Sequence, residues 1–161
     1  MTDDQIIDQI AYSFLRYNLR DIQEINNSQS EFTIAEFILC SCLIDQVSGF
    51  RYNIDKVGKR YKQFVKEYLP NYNSEELYDD LRNKLVHNYS IGSHYRLIRN
   101  SSVLHLANEN GNIYLNLENF IADLRGAIEK YLLELKNDPD IRRNALSWYK
   151  KYKIIGRVPS S

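Results

Sequence analysis

The chain has 161 residues, of which 43% are hydrophobic and 26% charged, and its formal net charge is zero. These values are ordinary for one globular domain and exclude an intrinsically disordered chain. A neutral total also argues against a protein that coats nucleic acid without sequence preference. We expect one domain over residues 1–161, in the cytoplasm, because the sequence has neither an export-type leader nor an apolar run of membrane-spanning length.

Apolar spacing predicts a mostly α-helical bundle. Thr2 and Gln5 have the spacing of a capping box that opens the first helix, and Thr33 with Glu36 would open the second. Asp138 followed by proline would cap the last helix. The predicted helices cover about 3–25, 34–49, 58–69, 74–89, 116–136 and 139–148.

Between the fourth and fifth helices the pattern becomes typical of strands. Strands are predicted over residues 95–99, 103–106 and 113–115. The dipeptide Asn110-Gly111 indicates a tight hairpin turn. The predicted fold is therefore a helical bundle with a β-hairpin inserted at about 95–115, followed by an extra C-terminal helix and a loose tail at about 139–161.

The fourth helix carries an arginine on its apolar side. At about 100° per residue, Arg82 falls beside Val86, whereas Asn83 and His87 lie on a polar stripe at the edge of that face. A buried guanidinium needs an acid, a subunit boundary or an anionic ligand. Pairing with an acid such as Asp79 is one alternative, and His87 would then be an ordinary cap at the C-terminal end of the helix.

The segment from Arg82 to Tyr89 reads Arg-Asn-Lys-Leu-Val-His-Asn-Tyr. It resembles the motif of HEPN-superfamily ribonucleases, in which an arginine and a polar residue precede three variable positions and a histidine. Toxin-type members extend it to Arg-x4-His-x-Tyr, as found here. The position of the motif, near the end of a late helix, also agrees. The resemblance covers about residues 1–137, and the last helix and tail have no clear counterpart.

The resemblance implies a HEPN-like helical bundle that acts as a metal-independent endoribonuclease, with no cofactor and no metal site. Two copies would form a homodimer whose motif helices face each other across a two-fold axis. RNA is the implied partner, and no membrane is involved. A toxin or phage-defence effector of this type would also have a cognate antitoxin or a nucleotidyltransferase as a partner.

The residue types suit cleavage of RNA, which carries its own nucleophile in the 2′-hydroxyl group. His87 can exchange protons near neutral pH. The guanidinium of Arg82 fits two phosphate oxygens and can stabilise transition-state charge. Asn83 would orient the imidazole or hold the phosphate. Tyr89 would contact RNA or, as the resemblance implies, be the residue at which a nucleotidyltransferase silences the nuclease.

Basic residues near the motif are candidates for guiding RNA to it. Residues 56–70 carry five bases and one acid, and residues 141–161 carry six bases and no acid. From these zones and the motif we select Lys84, Lys59 and Arg60. Ordinary solvated helix faces have the same composition, so a purely structural role stays open for each zone.

Other reactive or aromatic residues have structural interpretations. His94 and His105 fall in the hairpin region, and we expect both to be structural or exposed. Cys40 and Cys42 are expected to be buried free thiols, because the spacing and the lack of further ligands do not fit a metal site. Trp148 is expected to dock the last helix rather than bind a base.

Two further functions remain open. A non-catalytic HEPN module could keep the motif and bind nucleotides or a partner protein, in which case a His87 substitution would leave binding intact. A plain helical interaction protein would match the motif by accident, and it predicts a monomer in which Arg82 has an internal salt bridge. The oligomeric state in solution discriminates between this last alternative and the homodimeric nuclease.

Overall fold

The computed structural model describes residues 1–28, 33–90, 92–99 and 104–153, and these are mostly helical, as predicted. The helical elements are α1 (Asp3–Ser13), the π-helical segment π1 (Phe14–Asn18), α2 (Leu19–Asn27), α3 (Thr33–Tyr52), α4 (Val57–Tyr68), α5 (Ser74–Leu77), the π-helical segment π2 (Tyr78–Val86), α6 (Leu117–Asn137) and α7 (Pro139–Tyr152). The strands are β1 (Tyr95–Ile98), β2 (Asn108–Glu109) and β3 (Asn112–Asn116).

Local signals account for most helix starts. The Thr2 capping box is present, since Thr2 N–H donates to Gln5 Oε1 at 2.8 Å and Gln5 N–H donates to Thr2 Oγ1 at 3.3 Å. Asp138 caps α7 with Pro139 in its first turn, as predicted. Thr33 is the first residue of α3 and the residues before it lie outside the described ranges, so the capping box at Thr33 stays a prediction.

Helix α3 is the centre of the bundle. It packs against α2, α4, π2, α6 and α7, and Phe37, Cys40, Ile44 and Val47 have no solvent exposure. By length and composition alone α3 could cross a membrane. Because α3 contacts other helices on several sides, its apolar composition is also that of a core helix.

The inserted sheet differs from the predicted simple hairpin. Its strand order is β1-β3-β2, with β1 parallel and β2 antiparallel to β3. The turn at Asn110-Gly111 is confirmed, with φ values of 53° and 81°. The strand predicted over 103–106 is wrong for its described residues, which form a turn in which Leu106 has φ 59°. Val103 lies outside the described residues, as does the tail after Gly156.

A buried carboxylate attaches this sheet to π2. Asp80 is 2% exposed, and its oxygens accept the backbone N–H groups of Ser93, His94 and Tyr95 at 3.2, 2.8 and 2.8 Å. A Cβ atom at Gly92 would lie 1.9 Å from Asp80 Cγ, so only glycine fits beside this carboxylate. The start of β1 is thereby fixed on the helix that carries the motif.

Helix α7 docks on α3 through the indole of Trp148, which is 6% exposed. The ring packs on the backbone of Gly49, where a Cβ atom would lie 2.4 Å from Trp148 Cε2. The predicted docking role of Trp148 is therefore confirmed. Helix α7 also extends to Tyr152, four residues beyond the predicted end at Trp148.

We predict that Gly49→Ala lowers the free energy of unfolding by about 1–3 kcal/mol, because the added methyl group overpacks the indole. Gly126 in α6 is the matched control, since a Cβ atom there meets nothing within 4 Å. Gly126→Ala should raise the free energy of unfolding by up to about 1 kcal/mol. Urea denaturation of both variants measures these changes, and equal effects would contradict the tight contact at Gly49.

Candidate functional site

Arg82 and His87, which the motif predicts to act together, are in contact. Arg82 Nη1 lies within hydrogen-bonding distance of His87 Nε2, although the residues are five positions apart. In a regular α-helix, positions five apart point about 140° away from each other. The contact therefore depends on a local departure from α-helical geometry.

That departure is the π-helical segment π2. A π-helix pairs residue i with residue i+5, which brings side chains five positions apart onto one face. Such turns are rare and occur frequently at functional sites.

Asp45 of α3 is the third member of the cluster. Arg82 Nε donates to Asp45 Oδ2 at 2.9 Å, and Arg60 Nη2 donates to Asp45 Oδ1. The side chains of Arg82, Asp45 and Arg60 are 15%, 17% and 9% exposed. Two cations compensate the desolvated carboxylate, and the carboxylate in turn holds both guanidinium groups in place.

Sequence reasoning missed Asp45. It named Asp79 as an example of an acid that could pair with Arg82. Arg82 does pair with an acid, but this acid is Asp45, whereas Asp79 Oδ2 lies 2.8 Å from Lys84 Nζ. A usable signal was present, since Asp45 is the one charged residue in the mostly apolar stretch from Phe37 to Phe50. An internal ion pair of Arg82 is also predicted by the alternative that the chain is a plain helical interaction protein.

The hydrogen-bond donors of this cluster define the form of the imidazole. Arginine has only donors, so a hydrogen bond between Arg82 Nη1 and His87 Nε2 requires the tautomer in which Nε2 accepts and Nδ1 carries the proton. A neutral imidazole is the form that can take up a proton as a general base. The side chain of His87 is exposed, and that of Arg82 is mostly buried. The reactive ring is thus open to solvent while its partner is held from within.

Arg82 also lies in the wall of an open pocket of about 520 Å³, within the size range of small-ligand sites. Residues of α3, α4 and π2 form much of the wall, and α7 contributes Trp148 and Tyr152. The helix that has no counterpart in the resemblance therefore helps to build the site.

Arg60 belongs to this wall, where the sequence had suggested an RNA-guiding group. It is 8% exposed, its Nη1 donates to the carbonyl oxygens of Ile54 and Asp55 at 3.2 and 2.9 Å, and its guanidinium lies 5.0 Å from the ring centre of Trp148. Arg60 thus connects Asp45 to α7.

Lys59 and Lys84, the other expected RNA-guiding residues, lie away from the pocket. Lys59 is exposed and lines a separate depression of about 770 Å³ together with Lys56, Lys62 and Lys66. Lys84 Nζ lies 2.8 Å from Asp79 Oδ2 and 3.7 Å from Asp80 Oδ1. Lys59 and the three lysines near it form a basic surface, in which Lys62 pairs with Glu75 at 2.7 Å, whereas Lys84 pairs with two acids.

The structure does not bring Asn83 to His87 within one chain. Asn83 lines a depression of about 400 Å³ with Asp79 and His94. The pKa of Asp79 is lowered by the hydrogen bond from Lys84 and, to a smaller extent, by one from Asn83. In a single chain, Asn83 therefore interacts with Asp79, and among the described residues it makes no hydrogen bond to Arg82 or His87.

Tyr89 lies just past the end of the motif helix. Its N–H donates to the carbonyl oxygen of Leu85 at 3.0 Å, and its φ of 51° is left-handed, a conformation that ends helices. Its side chain is 71% exposed. The ring therefore stands in solvent two positions after His87.

Among the described residues, one group has ligand atoms close enough together to hold a metal ion. It consists of Asp79, Asp80 and His94, whose ligand atoms lie within 4.8 Å of one another. Lys84 pairs with both acids, and His94 Nδ1 lies 2.9 Å from Asp80 Oδ1. These contacts account for the grouping as a structural network that joins π2 to the sheet.

His105 is held in a separate network. Its Nδ1 accepts the N–H of Asn116 at 3.1 Å, its Nε2 lies 2.8 Å from the hydroxyl of Tyr72, and that hydroxyl donates to Asp123 at 2.6 Å. Burial lowers the pKa of His105. These contacts fit the structural role expected for this histidine.

The two cysteines have different environments. Cys40 is buried, as expected, and burial raises the pKa of its thiol. Cys42 is exposed, so the expectation of a buried thiol was wrong there. Its position on α3 places it at the lining of the Arg82 pocket.

No family model, curated protein or solved structure matches the chain. The likeness to HEPN ribonucleases therefore depends on the residues from Arg82 to Tyr89 and on their setting in a helical bundle.

We predict that Asp45→Asn lowers the free energy of unfolding by about 3 kcal/mol, because it leaves two buried guanidinium groups without their counter-charge. Asp21→Asn is the control, since Asp21 pairs with Arg20 on the surface at 3.2 Å and should change the free energy by less than about 1 kcal/mol. Thermal and urea denaturation give both values. Equal, small effects would show that Asp45 is not a structural counter-ion.

Proposed function

We propose that this chain is a metal-independent endoribonuclease of the HEPN type that acts as a cytoplasmic homodimer. The observation that carries the proposal is the contact between Arg82 and His87 at the edge of an open pocket. A permanent cation and a proton-exchanging ring are the two groups that cleavage by the 2′-hydroxyl of RNA requires. In a regular α-helix the two side chains would point about 140° away from each other, and the π-helical segment brings them together.

In the proposed reaction, neutral His87 takes the proton of the ribose 2′-hydroxyl. The 2′-oxygen forms a bond to phosphorus, and the bond from phosphorus to the 5′-oxygen breaks. In a homodimer with both motifs in one cleft, the second imidazole, in its protonated form, gives a proton to the leaving 5′-oxygen. The products are a 2′,3′-cyclic phosphate and a 5′-hydroxyl end.

Arg82 is the electrostatic group of this reaction. Its Nε is engaged by Asp45, so the guanidinium plane is already oriented before a substrate arrives. An arriving phosphate competes with His87 for the remaining N–H groups of Arg82. Moving this contact to phosphate would free His87 Nε2 to accept the 2′-hydroxyl proton. Asp45 is a positioning residue in this scheme.

The remaining motif residues have auxiliary parts in the proposal. Asn83 lies with Asp79 and His94 in one chain, so a catalytic contribution of Asn83 would have to come through the dimer cleft. The exposed ring of Tyr89 is accessible to RNA or to a modifying nucleotidyltransferase. The basic surface around Lys59 offers a path for the RNA backbone.

A toxin or phage-defence effector is the cellular role that fits such a nuclease, with a cognate antitoxin or nucleotidyltransferase as its partner. An exposed tyrosine beside the catalytic histidine would give that partner a direct means of control, because a nucleotide attached there adds bulk and negative charge at the site.

A non-catalytic nucleotide- or protein-binding module is the second candidate. The observation in its favour is the Asp45–Arg82 ion pair, which gives Arg82 a structural role without any chemistry. Such a module would bind its ligand equally well with and without the His87 imidazole.

We predict that the purified protein degrades RNA in the presence of EDTA and that His87→Ala and Arg82→Ala each lower the rate by at least about 100-fold. Arg82→Lys should also be strongly impaired, because an ammonium group lacks the planar fork. Asn83→Ala should lose much less activity than His87→Ala. Gel assays on a defined RNA measure these rates.

Two controls make this test specific. A substrate with a single ribonucleotide at the cleavage position should be cut. Its counterpart with a 2′-deoxyribose at that position should stay intact. Light scattering on each variant should report a dimer. Full activity in both the His87 and Arg82 variants would exclude this site, and a monomeric wild-type protein would exclude the shared cleft.

A further inference from the structure

Arg82 has donors left for a ligand. Its Nε is used by Asp45 and its Nη1 by His87, and among the described residues Nη2 has no hydrogen-bond partner. Because Arg82 lines the pocket of about 520 Å³, an anion inside that pocket can reach these donors.

An aromatic wall faces the same pocket. Trp148 and Tyr152, which both line it, have ring centres 4.4 Å apart with an angle of 41° between their planes. The indole is nearly buried and has Arg60 next to it, so Tyr152 is the ring that is open to a ligand, with 58% of its surface exposed. The hydroxyl of Tyr152 donates to Asp55 Oδ1 at 3.1 Å, which orients the ring.

The charges of the lining favour an anionic ligand. Arg60, Arg82 and Lys153 contribute three positive charges and Asp45 one negative charge, a local excess of two positive charges. A phosphate monoester or diester matches this excess, and a flat base matches an exposed aromatic ring. The volume is large enough for both parts of a nucleotide.

We propose that this pocket is a subsite for one nucleotide of the RNA substrate, with its phosphate on Arg82 Nη2 and Lys153 and its base stacked on Tyr152. The assignment of RNA as the polymer rests on the proposed function. The C-terminal helix α7 is then part of the substrate site, because it supplies the ring that holds the base next to the bond to be cut.

The chain offers an internal probe, since Trp148 is its single tryptophan and lies in the pocket wall. Adenosine 3′-monophosphate, adenosine and inorganic phosphate are each titrated into the full chain in EDTA, with tryptophan fluorescence and calorimetry as parallel readouts. We expect saturable binding of the nucleotide and at least roughly tenfold weaker binding of adenosine or phosphate alone, because each lacks one of the two contacts.

Variants separate the stacking contact from the fold. Tyr152→Leu should weaken nucleotide binding roughly tenfold, whereas Tyr152→Phe, which keeps the ring, should stay within about twofold of wild type. Arg82→Gln should weaken binding of the nucleotide and remove binding of phosphate. Arg20→Gln should bind as wild type does, because Arg20 pairs with Asp21 on the surface and lies outside the pocket lining.

Failure of this subsite and failure of the nuclease give different results. RNA cleavage with no nucleotide binding by either readout, or equal affinities for Tyr152→Leu and wild type, would overturn the subsite while the nuclease stands. Saturable binding that depends on Tyr152, in a protein that cuts no RNA, would support the pocket and favour the non-catalytic module.

Discussion

The carboxylate of Asp45 is the interaction on which the site depends. It accepts from Arg82 on π2 and from Arg60 on α4, and it projects from the central helix α3. Arg60 then reaches two carbonyl oxygens and the indole of Trp148, so one acid organises groups from four helical segments. A carboxylate in this setting would be costly without both cations, and either cation would be costly without it. The cluster is therefore fixed as a unit before any ligand binds.

The second constraint is the π-helical backbone of π2. It brings the side chains of Arg82 and His87, which are five positions apart, into contact. The imidazole stays exposed to solvent, while the guanidinium is mostly buried. The sheet reinforces this segment, because Asp80 on the same turn accepts three backbone N–H groups at the start of β1. The inserted sheet thus contributes to the site indirectly, by holding the helix that carries the motif.

Much of the fold could be predicted from periodicity and local signals, including the capping box at Thr2, the turn at Asn110-Gly111 and the start of α7. The parallel pairing of β1 with β3 could not, because it joins residues that are far apart in the sequence. The helical projection placed Arg82 beside Val86 and put Asn83 and His87 on one polar stripe, since it assumed α-helical spacing throughout. The π-helical turn brings Arg82 to His87, and no residue type marks it.

For the site, the motif predicted the two residues that are in contact. Their partner Asp45 was not predicted, because it lies on a different helix. Trp148 illustrates the same limit. Its docking role was predicted from the sequence, whereas its part in a pocket depends on how α7 packs on α3 and on the contact with Arg60 of α4. Long-range contacts of this kind decide which buried charges and rings become a site.

The end groups of RNA cleaved in EDTA test the central claim most directly, because they record which oxygen attacked phosphorus. Attack by the 2′-hydroxyl at the Arg82–His87 pair predicts fragments that end in a 2′,3′-cyclic phosphate and begin with a 5′-hydroxyl. Fragments with 3′-hydroxyl and 5′-phosphate ends, or intact RNA at high protein concentration, would contradict it.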